Sequence, residues 1–310
     1  MAKSKHSFRS PERQGHQLAS SMARHGKSKR DPQEPPWAFH AVASERIART
    51  IYVDSARYLN RTRQGDLSQL TPPLALEIIR SRKSEIGQQH LDNYTTFLQK
   101  ALWKLQALPL DEILERERSD LRQELTSRVY APAQISLVYQ NQSPRNEFSA
   151  RICNVAGCRS MELGSLSKPE ELPVTADRNW RADLHCGLSE FTKYTVKGKG
   201  GLVRSIAIPN YMVEDLERRR LPEPVQRRDR EIHYLQRYDL GFGQALSQSW
   251  SRASNYALGF SNGLHGLRHT FAQERVRTLL AMGFDVDDAL LIVSQELGHF
   301  RLSITMTYFR

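Results

Sequence analysis

Helical periodicity runs through the segment that follows residue 36. In AFHAVASERIARTIYVDSARYL the apolar residues recur every four or five positions, as on one face of a helix. A second segment, LALEIIRSRKSEIGQQHLDNYTTFLQKALWKLQAL, is rich in helix-forming residues and is interrupted at Gly87. The pattern predicts a small helical module over residues 37 to 128. It fits a DNA-binding module and equally a bundle that only mediates protein contacts.

The second part of the chain, residues 129 to 310, mixes helical segments with one hairpin. Thr192, Tyr194 and Val196 alternate along a strand, glycines supply a turn around Lys199, and LVRSIAIP returns as the partner strand. The predicted fold class is mainly α with a small β-sheet. A helical domain is followed by an α+β domain, and the acidic stretch LDEILERERSDLRQELTSR joins them.

Residues 1 to 36 follow neither the helical nor the strand period. They combine Ser, Gly, His, Lys and Arg with few apolar residues, and they close on Pro32, Pro35 and Pro36. Such a segment buries too little apolar surface to offset the entropy lost on ordering. We therefore predict a disordered basic arm.

Composition narrows the class of protein. No apolar run reaches the roughly 18 residues that a membrane helix needs, and the basic start lacks the apolar stretch of a signal peptide. We expect a cytoplasmic protein that does not enter a membrane.

Cys153, Cys158 and Cys186 are odd in number and form no CxxC pair, so we expect buried thiols rather than disulfides.

The charge balance adds a first indication of a partner. The chain has 45 Lys and Arg against 34 Asp and Glu, a net charge of +11. Basic side chains that neutralise phosphates release condensed counterions, so a basic protein suits nucleic acid. A solvated basic surface is the alternative, and the arm carries much of the excess.

Two segments near the end of the chain carry candidate catalytic side chains. In HGLRHTF, His265 and Arg268 lie three positions apart and share one face of a helix. Asp285 is placed to cap the next helix, Gly298 suits its left-handed end, and His299 follows at once. A tyrosine comes nine residues after His299 in LSITMTYF, where the alternation favours a strand over a helix.

Other candidates lie upstream. Arg159 and Glu162 are three positions apart in NVAGCRSMELGSL, and Lys199 sits on the hairpin turn. Each also has an interpretation without function: Arg159 and Glu162 would form an exposed ion pair on a helix, and Lys199 would be an exposed lysine in a turn. The glycines around Lys199 do not form GxxxxGK[ST], and no Cys and His residues have zinc-ligand spacing. We predict no cofactor and no metal.

Taken together, the residues resemble the active-site set of the tyrosine recombinase, or phage integrase, family. AGCRSMEL is similar to the family's first-arginine motif, VKGKGGLVRSIAIP to its lysine-bearing hairpin, HGLRHTFA to its HxxR box and LGHFRLSITMTY to its terminal block. The match covers residues 129 to 308. Residues 37 to 128 are similar to the family's core-binding domain in size and placement only. The matching set is Arg159, Lys199, His265, Arg268, His299 and Tyr308.

The resemblance implies a site-specific DNA recombinase, the integrase of a mobile genetic element. Such an enzyme cleaves and rejoins double-stranded DNA through a 3′-phosphotyrosyl link, here to Tyr308. The resemblance further implies a homo-oligomer of up to four subunits on DNA, accessory DNA-bending proteins, and a location at the bacterial nucleoid.

The resemblance also implies a catalytic role for each matching residue. Arg159 and Arg268 would clamp the non-bridging phosphate oxygens, because guanidinium forks match phosphate geometry. Lys199 would protonate the departing 5′ oxygen. His265 would help to deprotonate the tyrosine, and His299 would donate a hydrogen bond to the phosphate.

Three other functions stay open. A family member that binds DNA without cleaving it would act as a regulator, and a type IB topoisomerase would share the chemistry. A metal-dependent nuclease would use His265 and His269, although this pair lacks the HExxH glutamate.

The stretch between Arg268 and His299 is longer than in compact family members. Only two residues follow the tyrosine, so the mode of assembly stays open.

Overall fold

The computed structural model describes residues 9–25, 31–122, 127–198, 200–230 and 232–309. The chain divides into two compact units, Met1–Glu124 and Leu125–Arg310. The boundary predicted near residue 128 lies a few residues beyond this division, which itself falls within residues 123 to 126, outside the described residues. Across the described ranges, no helix combines the length and the apolar character needed to cross a membrane.

The first unit is helical, as the sequence predicts. Gly87 lies in an extended conformation directly before the fourth helix, so the predicted interruption is confirmed. A core of large apolar side chains holds the helices together, including Phe39, Tyr52, Leu59, Ile78 and Leu98. The helices are α1 (Pro11–Ser21), α2 (Val42–Thr62), α3 (Pro72–Arg80) and α4 (Gln88–Lys104).

The prediction of a disordered arm is wrong for residues 11 to 21, which form α1 against α2. The Ser10 hydroxyl caps the helix by accepting a hydrogen bond from the backbone N–H of Arg13, and Pro11 occupies the first turn. Ala19 and Met22 are fully buried. A segment with few apolar residues can therefore still form a helix that buries one apolar face against α2. Residues 1–8 and 26–30 of the predicted arm lie outside the described residues.

The second unit combines helices with two antiparallel hairpins, which confirms the predicted fold class. Trp250 is fully buried at its core, with its ring edge against Tyr130 and Tyr139. The elements, in order, are α5 (Pro132–Tyr139), α6 (Pro144–Ala156), β1 (Phe191–Lys197), β2 (Val203–Pro209), α7 (Asn210–Arg218), β3 (Arg220–Asp229), β4 (Ile232–Tyr238), α8 (Gly243–Leu258), α9 (His265–Ala281), α10 (Val286–Glu296) and α11 (Leu302–Thr305).

The first hairpin, β1 with β2, is the one that the sequence predicts. The second hairpin, β3 with β4, was not predicted. Pro222 and Pro224 interrupt the strand pattern of β3, and the pairing is irregular between Arg220 and Val225. Near the turn, a run of charged residues replaces the alternation of apolar and polar residues that would predict a strand.

The end of the chain is helical, where the alternation in LSITMTYF favoured a strand. One turn of α-helix in α11 continues as a 3₁₀ turn over Met306–Phe309. Thr305 and Tyr308, three positions apart, are the buried residues of this segment. Tyr308 packs into the apolar cluster of α9 and α10, and burial of this face decides the conformation.

Candidate active site

The loop that carries Arg159 begins where α6 ends. Gly157 follows the helix in the left-handed conformation, with φ of 60°. An added Cβ would lie 2.5 Å from Cδ1 of Phe271 on α9 and 2.9 Å from Cδ2 of Leu297, so only glycine fits. The Gly157 carbonyl accepts a hydrogen bond from Nη1 of Arg268. The helix end thus brings Arg159 beside α9.

Glu162 holds Arg159 in place. Its carboxylate accepts hydrogen bonds from the backbone N–H of Arg159 at 2.9 Å and from Nη1 of Arg159 at 2.8 Å. Glu162 is fully buried, so the pair is not the exposed ion pair on a helix surface that the sequence also allowed. Burial alone would raise the pKa of Glu162, but the guanidinium groups of Arg204, Arg268 and Arg159 lower the pKa to about 2.

Arg268 is completely buried on α9, and its nitrogens are all engaged. Nε donates to the Tyr308 hydroxyl at 2.9 Å, Nη1 donates to the Gly157 carbonyl, and Nη2 donates to the Leu297 carbonyl at 2.5 Å. Arg268 also faces the Glu162 carboxylate at 3.9 Å. Because Arg268 is completely buried, a phosphate reaches its guanidinium group only if the neighbouring side chains move.

His299 lies between the two arginines. Its Nε2 is 2.9 Å from Nη2 of Arg159 and 3.4 Å from Nη2 of Arg268. Arginine only donates hydrogen bonds, so Nε2 accepts and the ring proton is on Nδ1. Nδ1 then donates to Oγ1 of Thr305 at 3.2 Å, Thr305 donates to the Ser294 hydroxyl at 2.8 Å, and Ser294 donates to the His299 carbonyl at 3.1 Å.

Tyr308 completes the cluster and is only 3% exposed. The His299 ring stacks on the Tyr308 ring with centroids 5.8 Å apart, and the His269 ring meets it edge-on at 4.7 Å. The His265 ring lies 5.7 Å away. Gln273 anchors the backbone by donating to the Tyr308 carbonyl at 2.9 Å. The phenolic oxygen thus faces a guanidinium group, which stabilises negative charge as it develops.

The imidazoles around Tyr308 are neutral at physiological pH. Burial lowers the pKa of His265 to about 3, and the positive charge of Arg268 adds to the effect. Burial and nearby arginines also lower the pKa of His299 to about 3 and the pKa of His269 to about 4. Neutral His265 has one unprotonated ring nitrogen, but the burial and positive charge that keep it neutral also weaken it as a proton acceptor until a bound anion offsets that charge.

Five of the six predicted site residues therefore meet in one cluster. They come from the loop after α6, from α9, and from the segment after α10. Lys199 lies outside the described residues, although the flanking β1 and β2 are described. The residues that meet are Arg159, His265, Arg268, His299 and Tyr308.

The fold is similar to that of solved structures of a site-specific recombinase and of a transposon integrase. The chain matches a structure of the XerH site-specific recombinase bound to difH substrate in a pre-cleavage complex, with a TM-score of 0.56 and 16% identity over 96% of this chain and 90% of that one. A post-cleavage complex of XerH matches with a TM-score of 0.53 and 18% identity, over 96% of this chain and 90% of that one. The Tn1549 transposon integrase in complex with a circular intermediate DNA matches with a TM-score of 0.50 and 14% identity, over 95% and 94%.

The chain has the tyrosine recombinase fold. The resemblance drawn from the sequence motifs is thereby confirmed at the level of the fold. No protein-family model matches the chain, and no curated protein matches it.

Two side chains at the site were not predicted to belong to it. His269 was considered only as a metal ligand, yet its ring lies against Tyr308. Its spacing of four from His265 on one helix was the available signal. Arg204 is not one of the predicted site residues, but it shares the inward face of β2 with Ile206 and Ile208. An arginine among buried strand positions indicates a buried partner.

Within the described ranges, no group of three or more His, Cys, Asp or Glu side chains is arranged to hold a metal ion. The His265 and His269 rings lie 5.3 Å apart, centroid to centroid. Cys153 and Cys158 are buried free thiols, as expected, and Cys186 is a half-buried one.

Proposed function

We propose that the protein is a site-specific DNA recombinase that cleaves and rejoins DNA through a covalent link to Tyr308. The observation that carries this proposal is the 2.9 Å hydrogen bond from the buried guanidinium of Arg268 to the Tyr308 hydroxyl. A second guanidinium, that of Arg159, reaches the same cluster through His299. One guanidinium group on the tyrosine oxygen and a second one elsewhere in the same cluster suit attack on a phosphodiester.

The proposed step is a transesterification. The Tyr308 oxygen attacks the phosphorus, a bond forms between them, and the bond from phosphorus to the 5′ oxygen breaks. The phenolic proton passes to a neutral imidazole, for which His265 is the assigned acceptor. Arg159 and Arg268 neutralise the extra charge on the non-bridging oxygens. The free energy of the phosphodiester is kept in the 3′-phosphotyrosine, so rejoining needs no external energy.

Two further roles complete the proposal. Lys199, which lies between β1 and β2 in the sequence, protonates the departing 5′ oxygen. His299 donates a hydrogen bond to the phosphate. In the free protein its Nε2 carries no proton, so this role requires a proton on Nε2 when the phosphate binds, supplied by protonation of the ring or by a change of tautomer.

Partners follow from the same proposal. The substrate is double-stranded DNA, consistent with the net charge of +11. XerH and the Tn1549 integrase are solved with DNA. The helical first unit would bind the duplex together with the second unit, and subunits would assemble on paired sites, up to a tetramer. Accessory DNA-bending proteins and a nucleoid location belong to this proposal too.

The test uses a nicked duplex with the sequence that the protein selects from a random pool. Wild-type protein should trap a covalent adduct on this suicide substrate. Tyr308→Phe should abolish the adduct and keep the dissociation constant within about threefold, because the ring and its packing remain while the nucleophile is lost. Adducts that persist in Tyr308→Phe would remove Tyr308 from the nucleophile role.

The same experiment separates the rival functions. Tight binding without any wild-type adduct indicates a DNA-binding regulator. Adducts accompanied by relaxation of plasmids that lack a selected site indicate a type IB topoisomerase. Recombination between two selected sites on one plasmid supports the proposed function.

A further inference from the structure

Arg204 lies on β2 behind the candidate active site and is 1% exposed. Its guanidinium group spans two separate acceptors. Nη2 donates to Oε2 of Glu162 at 2.8 Å, and Nη1 donates to the carbonyl of Glu296 at 2.6 Å. No role in the proposed transesterification requires this side chain, and its burial prevents contact with DNA.

Arg204 shares its acceptors with the two arginines of the proposed phosphate clamp. The Glu162 carboxylate also binds Nη1 of Arg159. The Gly157 carbonyl, 3.4 Å from Nη2 of Arg204, also accepts from Arg268. A displacement of Arg204 would therefore shift the partners of both clamp arginines at once.

Arg204 also touches the segment that leads to His299. Glu296, whose carbonyl it binds, is the last residue of α10, and Leu297 contributes a carbonyl to Arg268. Gly298 follows with φ of 75°, and an added Cβ there would lie 2.9 Å from Cδ of Arg204. The backbone can pass this close to the arginine stem only because residue 298 is glycine.

We propose that Arg204 is a positioning residue, which sets the spacing between Arg159, Arg268 and His299 without contacting the DNA. The role depends on a planar fork, because one terminal nitrogen binds Glu162 and the other binds Glu296. The single ammonium group of lysine is a poor substitute for both contacts. This inference rests on the proposed function, since it assigns Arg204 to the same reaction.

The experiment compares Arg204→Lys and Arg204→Met with wild-type protein on the selected nicked duplex. Both variants should bind the duplex within about threefold of wild type, because Arg204 is buried. Single-turnover adduct formation should slow by about 10²-fold, the effect expected of an ångström-scale misplacement of catalytic groups. Arg204→Lys keeps the positive charge and most of the volume, so it tests the role even if Arg204→Met does not fold.

A second substrate separates positioning from general loosening of the fold. A methylphosphonate at the scissile position removes the non-bridging charge that the clamp neutralises. The rate deficit of Arg204→Lys should shrink by at least about tenfold on this substrate, as should that of Arg159→Ala. A general loss of order would slow cleavage of both substrates by the same factor.

Arg275 supplies the matched control. It is 3% exposed and binds the Glu296 carboxylate through Nε at 2.9 Å, yet none of its hydrogen bonds goes to Glu162 or Gly157. Arg275→Lys should lower the melting temperature without the substrate-dependent loss of rate.

Each of the following results would overturn the inference, as would an equal rate deficit of Arg204→Lys on the two substrates. One is cleavage by Arg204→Lys within threefold of wild type, and another is an Arg275→Lys variant that reproduces both the slow rate and its relief by methylphosphonate. Binding of the duplex by wild-type protein without any adduct would overturn the proposed function and this role with it. Normal wild-type cleavage beside an unaffected Arg204→Lys would overturn the positioning role alone.

Discussion

One imidazole nitrogen of His299 is hydrogen-bonded to a threonine hydroxyl, and the other faces two guanidinium groups. Nδ1 is fixed as a donor to Thr305, and Nε2 accepts from Arg159. Burial and the positive charges of Arg268 and Arg159 lower the pKa of His299 to about 3. A phosphate bound between the arginines offsets their charge and accepts a hydrogen bond from a protonated Nε2, so phosphate binding should raise this pKa.

Binding of the selected duplex should therefore take up a proton at His299. Affinity should increase as the pH falls from 7.5 to 6.0 at constant salt, by at most about tenfold per pH unit for one proton. In His299→Gln the side-chain amide donates without gaining a proton, so the pH dependence should flatten. Titration calorimetry in buffers of different ionisation enthalpy measures the uptake directly. Identical pH dependence in wild type and His299→Gln would contradict the assignment.

At the scale of elements, the hairpin of β3 and β4 extends the active-site surface. Its turn lies beside α8, where the Asp229 carboxylate accepts from the backbone N–H of Gln244 at 2.9 Å. The neighbouring N–H of Gly243 donates to the carbonyl of Ser160, next to Arg159, at 2.9 Å. The tip of this hairpin therefore lies close to the first arginine of the proposed clamp.

Three arginines at this tip, Arg227, Arg228 and Arg230, are exposed, and none of them forms an ion pair with the described residues. We expect Arg227 and Arg228 to contact DNA phosphates near the scissile bond. Replacing both with Ala should reduce the slope of log affinity against log salt by about 0.9 per lost contact. The rate of adduct formation at saturating DNA should stay near that of wild type.

A double variant of Arg145 and Arg218 is the control for this prediction. Both arginines are exposed, but carboxylates already neutralise them, with Arg145 bound to Asp239 at 2.7 Å and Arg218 bound to Glu214 at 3.1 Å. Their replacement by Ala should change the salt slope little. An equal slope change in both double variants would indicate a general charge effect and not a hairpin contact.

At the scale of the whole molecule, the second unit gathers histidines whose pKa values lie far below the ordinary value of about 6.5. Burial lowers the pKa to about 4 for His185 and His269, and to about 3 for His265 and His299. Below pH 6.5 the unfolded chain binds protons at these residues, and the folded unit does not until the pH approaches 4. Folding stability must therefore fall as the pH falls through this window.

Glu162 acts in the same direction at lower pH. Its pKa is about 2 in the folded unit, so between pH 4.5 and pH 2 the unfolded chain binds a proton at Glu162 that the folded unit does not, and folding stability falls further. Thermal unfolding of the DNA-free protein should show a midpoint several degrees lower at pH 5 than at pH 7. His185→Phe, which removes one titrating ring from beside Phe191, should reduce this difference. A midpoint that does not change between pH 7 and pH 5 would contradict the prediction.

Local patterns in the sequence determined much of the architecture. The periods of α2 and α4, the glycine at residue 87 and the alternation of β1 and β2 depend on neighbours in the chain, and these elements formed as predicted. Asp285 caps α10 by accepting from the N–H of Asp288 at 2.7 Å, and Gly298 has a positive φ. Propensities and caps act over a few residues, so a single sequence suffices for them.

The order of the motifs also identified Arg159, Arg268 and Tyr308 as candidate catalytic side chains, through the resemblance to tyrosine recombinases. It did not reveal which nitrogen of His299 is free, or that Arg268 is wholly buried.

Only the tertiary structure decided the remaining features. Residues 11 to 21 fold because α2 offers a surface to bury Ala19, and the segment around Tyr308 is helical because α9 and α10 bury one of its faces. Arg204 reaches Glu162 across 42 positions of the sequence and Glu296 across 92. Contacts between residues so distant along the chain depend on how whole elements pack, and no local pattern encodes them.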